Sequence, residues 1–182
     1  VCWIAAVFGS DEPFAKDAHA VSGTETAIVV VRMHPLGWHV IAAQRGFWGV
    51  SETVRRISEL YDAHACRGLA VSVKDFKASQ NLMTEYRRHH DFRLSIRYHT
   101  VDNADDLDRI KWALQSRLKS GRITCAKGKG LAQLRDQLQD FPLEYSNSEL
   151  VQALSYIDQV PQVNFGAKAR TFFRPLDAIA GY

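Results

Sequence analysis

The stretch "TAIVVVRMHPLGWHVIAAQRGF" (residues 26–47) constrains this chain most. Two runs rich in β-branched and aromatic residues, Thr26–Met33 and 38–47, flank "HPLG", which reads as a turn. Strands joined by so few residues can pair only as antiparallel neighbours, so any architecture must contain that hairpin. Upstream, the apolar opening "VCWIAAVF" is short and continuous, as a buried strand is, and residues 2–8 are read as one. It is about a third of the roughly 20 residues a bilayer span needs, and it lacks the basic flank of a signal peptide. The chain opens on Val rather than Met and enters this strand at once, which suggests a domain cut from a longer protein.

Downstream the period changes. In "SETVRRISELYDAHAC", Ser51 suits an N-cap and Val54, Ile57, Leu60 and Tyr61 recur at helical spacing. "GLAVSV" (Gly68–Val73) reads as a fourth strand, "KASQNLMTEYRRHH" as a helix and "FRLSIRYH" as a fifth strand. A long helix is expected from Asn103 to about Ser120, with Leu107, Ile110, Leu114 and Leu118 on one face and Gly121 as its stop. "RITCA" is a short strand, "GLAQLRDQL" a short helix and "SELVQALSYI" the last clear helix, while 161–182 carries no strong period. The order β-β-β-α-β-α-β-α predicts an α/β fold: a mixed central sheet, three antiparallel strands then parallel ones, with helices on both faces. That is the element order of the ribonuclease H-like fold, assigned to 1–160 with 161–182 as an unassigned tail.

Composition narrows the function classes. With 182 residues and 46% apolar content the chain can bury a core of its own. Cys2, Cys66 and Cys125 are odd in number and far apart, so neither a zinc site nor a disulfide framework is expected, and a reducing setting fits better. The net charge of +3 tolerates an acidic partner without requiring one.

"TAIVVV", "GLAVSVKDFKASQNLMTEYRR", "DDLDRIKWALQSRLKSGRITCAKGKGLAQLRDQLQDFP" and "SELVQALSYI", taken in order over roughly residues 2–158, resemble the nuclease domain of the large terminase subunit of tailed bacteriophages. The most specific portion runs from the long helix through "SGRI" and "QLRDQLQDFP" to the Ala-Leu-X-Tyr closing helix. The resemblance implies a metal-dependent endonuclease that cuts concatemeric double-stranded viral DNA in the host cell cytoplasm. It also implies two Mg²⁺ or Mn²⁺ ions, an upstream ATPase motor domain, a portal and a small terminase subunit as partners, and no membrane. No G-x-x-x-x-G-K-[ST] pattern occurs, so the chain by itself is not expected to hydrolyse ATP.

Two-metal phosphodiester hydrolysis needs hard carboxylate ligands converging at the strand ends. The family's acid positions are altered here. Phe8 stands near the end of the first strand, Ser72 in the fourth, and Ser148-Glu149 where an Asp-Asp pair is usual. Gln152 replaces a frequent Asp, and Asp106 a Lys before Arg109. The candidate metal ligands are therefore Asp11, Asp75 and Glu149, with Asp17 and His19 as further loop residues. Each also has a plain reading: Asp11 as a turn residue, Asp75 as a helix cap or surface partner of Lys74, Glu149 as an acid favoured by the helix dipole.

The candidate DNA contacts are Arg87 and Arg88, within "RRHH" (87–90), and Lys127 and Lys129 of "KGKG"; Arg55-Arg56 forms a third basic group. Lysines spaced by glycines can bring charge and bare N–H groups to a phosphate, or can simply form a solvated turn. The substitutions also motivate an alternative, a catalytically lapsed domain of the same fold that binds DNA or docks a motor.

Overall fold

The computed structural model describes residues 1–8, 25–48, 50–72, 84, 98–101, 106–141 and 148–160. Six strands form one sheet: β1 (Cys2–Val7), β2 (Thr26–His34), β3 (Gly37–Gly46), β4 (Leu69–Ser72), β5 (Tyr98–Val101) and β6 (Ile123–Cys125). Their order is β5-β4-β1-β2-β3-β6. The first three strands pair antiparallel, and β4, β5 and β6 join in parallel, so the expected mixed sheet is the one observed. The helices are α1 (Val50–Ala63), α2 (Asp106–Lys119), α3 (Lys129–Asp140) and α4 (Glu149–Tyr156).

Strand β2 lies in the middle, and Ala27 through Val31 have no exposure on either face. Fully burying a Val or Ile side chain is worth about 1.5–3 kcal/mol. A strand whose consecutive residues are all apolar therefore settles where both faces are covered. One face carries Ile4, Ala6, Ile28, Val30, Leu69 and Val71 against Val54, Ile57 and Tyr61 of α1. The other carries Trp3, Ala5, Val29 and Ala70 against residues of α2, α3 and α4. Helix α4 packs across β1 and β2.

The hairpin closes at Pro35–Leu36. Gly37 follows at φ 148°, and a Cβ there would sit 2.1 Å from the Arg122 carbonyl oxygen that Trp38 N–H donates to at 2.8 Å. Glycine thus lets β6 reach the outer edge of β3. Within the hairpin, Val30 pairs with Ala42 but Val31 with Val40, leaving Ile41 as an extra residue in β3. This bulge turns Ile41 and Ala42 together onto the α1 face and restores Ala43 to the opposite one.

Some boundaries differ from expectation. Helix α1 begins at Val50, one residue ahead of the expected cap at Ser51. Strand β5 runs on to Val101, past the expected end at His99. The buried stripe of α2 is Ile110, Ala113 and Leu114, whereas Leu107 and Leu118 are 37% and 40% exposed. The contact face therefore runs through Ile110, Ala113 and Leu114. The expected helix after β4 lies outside the described residues except for Thr84, which is helical, and 161–182 lies outside them entirely. Among the described residues no helix is long and apolar enough to cross a membrane.

Candidate active site

Parallel β1 and β4 end side by side. Ala6 pairs with Val71, so Val7 and Ser72, the last residues of the two strands, lie alongside each other. Val7 in turn pairs with Ala27, and Ala27 with Arg45. A single row, Ser72–Val7–Ala27–Arg45, therefore crosses this end of the sheet at about 4.8 Å per strand. Alternation with Ala70, Ala5 and Ala43 turns the row toward the face that α4 covers. Helix α4 begins over that face with Glu149, which is buried at 7% exposure.

Polar contacts hold the Glu149 carboxylate from the β3 and α3 side. Arg45 Nη1 lies 3.9 Å from Glu149 Oε2 and 3.2 Å from Glu25 Oε2. Gln137 Nε2, from α3, donates to Glu149 Oε2 at 3.4 Å, and Gln137 Oε1 accepts from the Leu150 N–H at 2.9 Å. Gln137 thus satisfies one of the open N–H groups at the start of α4, a task its N-cap residue Ser148 leaves to others, making no side-chain cap bond. Ser148 Oγ instead accepts from Gln152 Nε2 at 3.3 Å. Ser148 and Gln152 are thus joined as a neutral pair.

The far end of α4 is anchored differently. Arg109 of α2 donates from Nη1 to Ser155 Oγ at 2.5 Å and lies 4.9 Å over the Tyr156 ring. Arg117 donates to the Ala113 carbonyl, stacks 4.3 Å over Trp38 and pairs with Asp158 at 2.7 Å. The "ALSY" segment is a packing joint between α2 and α4, and it sets where Glu149 falls.

Of the expected metal ligands, Glu149 is the one among the described residues. Asp11 and Asp75, with Asp17 and His19, lie outside them, as do Arg87 and Arg88. Phe8, taken in sequence as the altered acid position, packs on the α1 face; the residue at this strand end that faces the α4 side is Val7. Among the described residues no group of three or more His, Cys, Asp or Glu side chains is arranged to hold a metal ion. One carboxylate engaged by a guanidinium and an amide is not a divalent-cation site by itself.

Lys127 and Lys129 are exposed. A Cβ on Gly130 would stand 1.7 Å from the Ala43 carbonyl oxygen. The glycine is required for the first turn of α3 to lie against β3, which also brings the two lysines to the half of the sheet where Arg45 stands. The third basic group is internally matched: Arg55 bonds Glu52 and Glu59, and Arg56 bonds Glu52 and Gln44 and stacks 4.5 Å over Trp48. Hydrogen bonding from Arg55 holds the Glu52 carboxyl below the usual range. The three cysteines are free thiols, and burial pushes Cys66 up to about 12, which removes it as a nucleophile near neutrality.

Arg45, Gln137 and Glu25 were not singled out by sequence reasoning. A signal existed for Arg45, because it stands two residues beyond Ala43 on a strand whose inward face is covered, and a charge placed there needs partners. Nothing local marks Gln137, whose role depends on where α4 lands.

No protein-family model matches the chain, and no curated protein sequence matches it. Solved structures do. The large terminase nuclease from thermophilic phage G20c superposes with a TM-score of 0.59 at 12% identity, over 86% of this chain and 80% of that one. The human cytomegalovirus terminase nuclease domain, Mn-soaked, gives 0.58 at 12% identity over 88% and 83%. Its Mn-soaked, inhibitor-bound form gives 0.57 at 12% identity over 86% and 81%. The chain has the ribonuclease H-like fold of terminase nuclease domains.

Proposed function

We propose that this chain is the nuclease domain of a viral genome-packaging terminase. It acts on concatemeric double-stranded DNA in the host cell cytoplasm, alongside an upstream ATPase motor domain, a portal and a small terminase subunit. The observation that carries the reading is Glu149, a buried acid at the start of α4 whose carboxylate meets Arg45 of the row that crosses the sheet end where β1 and β4 finish, in this particular fold. Fold alone does not assign chemistry, so the reading rests on that acid. Cleavage would require Asp11 and Asp75, which follow β1 and β4 in sequence, to join Glu149 around Mg²⁺ or Mn²⁺. Such ions, two where the site is complete, supply an activated water and charge stabilisation at the leaving oxygen. Lys127 and Lys129, with Arg87 and Arg88, would contact the phosphate backbone without reading sequence.

A specific observation favours a second reading, a lapsed domain that retains DNA binding or motor docking. Val7 and Ser72, neither of them acidic, end β1 and β4, and Glu149 is already matched by Arg45. Plasmid nicking across a Mg²⁺ and Mn²⁺ series separates the two. Cutting that disappears in Glu149→Ala and Asp11→Ala supports the first reading. Intact plasmid, together with salt-sensitive retention of DNA, supports the second. Protein that neither cuts nor retains DNA refutes the first reading and the DNA-binding form of the second.

A further inference from the structure

Helix α1 does not cover the whole of its side of the sheet. Along β2 its packing takes in Ile28 and Val30 and stops there. Alternation from Val30 puts Arg32 and His34 on the same face, beyond that cover. Arg32 pairs with His39 of β3, and His39 with Thr124 of β6, so the row Arg32–His39–Thr124 crosses three strands. His39 Nδ1 lies 2.9 Å from Thr124 Oγ1, so these two side chains share the face. Arg122 stands two residues before Thr124 and falls on it too, its carbonyl oxygen already taken by the Trp38 N–H. Arg32, Arg122 and Thr124 are exposed, and His34 and His39 partly so.

The charge on this face has one sign. Strands β2, β3 and β6 contain no Asp or Glu, and among the described residues neither Arg32 nor Arg122 forms an ion pair. A surface that is merely solvated intersperses both signs. We propose that the uncovered face of β2, β3 and β6 is a second DNA contact, which takes the phosphate backbone of a duplex on Arg32 and Arg122. Two strand spacings and a two-residue offset set their Cα atoms about 12 Å apart. A duplex carries a charge about every 1.7 Å along its axis, so both guanidiniums find phosphates wherever it lies along them. His39 and Thr124 add neutral hydrogen-bonding groups between the two, which suits backbone contact without sequence readout. The inference rests on the reading of DNA as the partner and adds a surface to it. This face is opposite to the one that α4 covers, and its row lies at the other end of β2 from Arg45 and Glu149.

The test is fluorescence anisotropy with a labelled duplex of mixed sequence across a salt series, in EDTA so that cleavage plays no part. The proteins are the wild type, Arg32→Gln/Arg122→Gln, and Arg55→Gln/Lys111→Gln, which removes the same charge from α1 and α2. Circular dichroism melts verify folding, and Arg32→Gln alone serves if the first double variant does not fold. Expected in Arg32→Gln/Arg122→Gln is a slope of log affinity against log salt shallower by about 1.8, with affinity near 0.1 M salt down roughly tenfold. The single variant should show half that slope change, and the charge-matched control little. An equal loss in the control overturns the proposal, because net charge alone would explain it. Unchanged binding in Arg32→Gln/Arg122→Gln also overturns it and leaves DNA as partner through other residues. Loss of polyglutamate binding with duplex binding retained overturns it in favour of an acidic protein partner. Absence of duplex binding by the wild type overturns it together with the DNA reading.

Discussion

The two ends of α4 are both held by arginines, to different purposes. At its C-terminal end Arg109 meets Ser155 and Tyr156 while Arg117 bridges Trp38 and Asp158, and both side chains bind helix to helix or helix to sheet. At its N-terminal end Arg45 meets the buried acid Glu149. The first end explains why the chain folds as it does. The second is where chemistry would be gained or lost. The "ALSY" segment and Arg109 belong to the first end, and Ser148, Glu149 and Gln152 to the second.

This contrast can be broken most directly at the joint. Tyr156→Ala removes a ring that is 2% exposed and stacked by Arg109, and is expected to cost about 3–5 kcal/mol in urea unfolding. Glu149→Gln keeps the shape and most hydrogen bonds, and is expected to stay within about 1 kcal/mol of the wild type. If Glu149→Gln proved the more damaging of the two, the N-terminal end would be structural and the division would fail.

A smaller effect sharpens the assignment of "KGKG". Gly130→Ala places a methyl group against the Ala43 carbonyl and should destabilise by about 1–3 kcal/mol, read as a fall in Tm. Lys127→Ala and Lys129→Ala should change stability by less than about 0.5 kcal/mol. On the proposed function they weaken DNA retention and flatten its salt dependence, measured by fluorescence anisotropy across a salt series. Unchanged retention would leave the motif as a turn whose glycine serves packing alone.

A further effect, confined to alkaline conditions, is expected from pH. Burial raises the Cys66 thiol from 9.0 to about 12 in the folded chain. The folded state then holds a proton that the unfolded state releases, so this contribution is intact below pH 9 and is lost as pH rises toward 12. Urea midpoints across that range should fall with a shallower slope in Cys66→Ala. Identical slopes would mean that another group governs the alkaline limit.

Much of the fold was legible because it depends on local pattern. The residue 26–47 hairpin, the buried β1 run and the change to helical period each impose one kind of element, and their order leaves few sheets to choose from. What was not legible depends on long-range geometry. The position of β6 on the outer edge of β3 follows from contacts between Gly37 and Arg122, 85 positions apart along the chain. At the end of the first strand Val7 faces the α4 side and Phe8 the α1 side, a distinction that turns on a single residue of register and that an unbroken apolar run does not mark. Gln137 reaches Glu149 only because two helices meet, and no spacing along the chain encodes that.

The extra residue at Ile41 has a consequence for how this protein can change. Trp38 and Val40 face α4's side before it, and Ala43 and Arg45 face that side after it, so the parity of β3 reverses at that point. Deleting Ile41, with the hairpin turn held, would close the ladder one-to-one, Ala42 still opposite Val30 and Arg45 still opposite Ala27 on the α4 side. The bulge thus lets β3 absorb the loss of one codon in mid-strand while the corner around Glu149 keeps its charges.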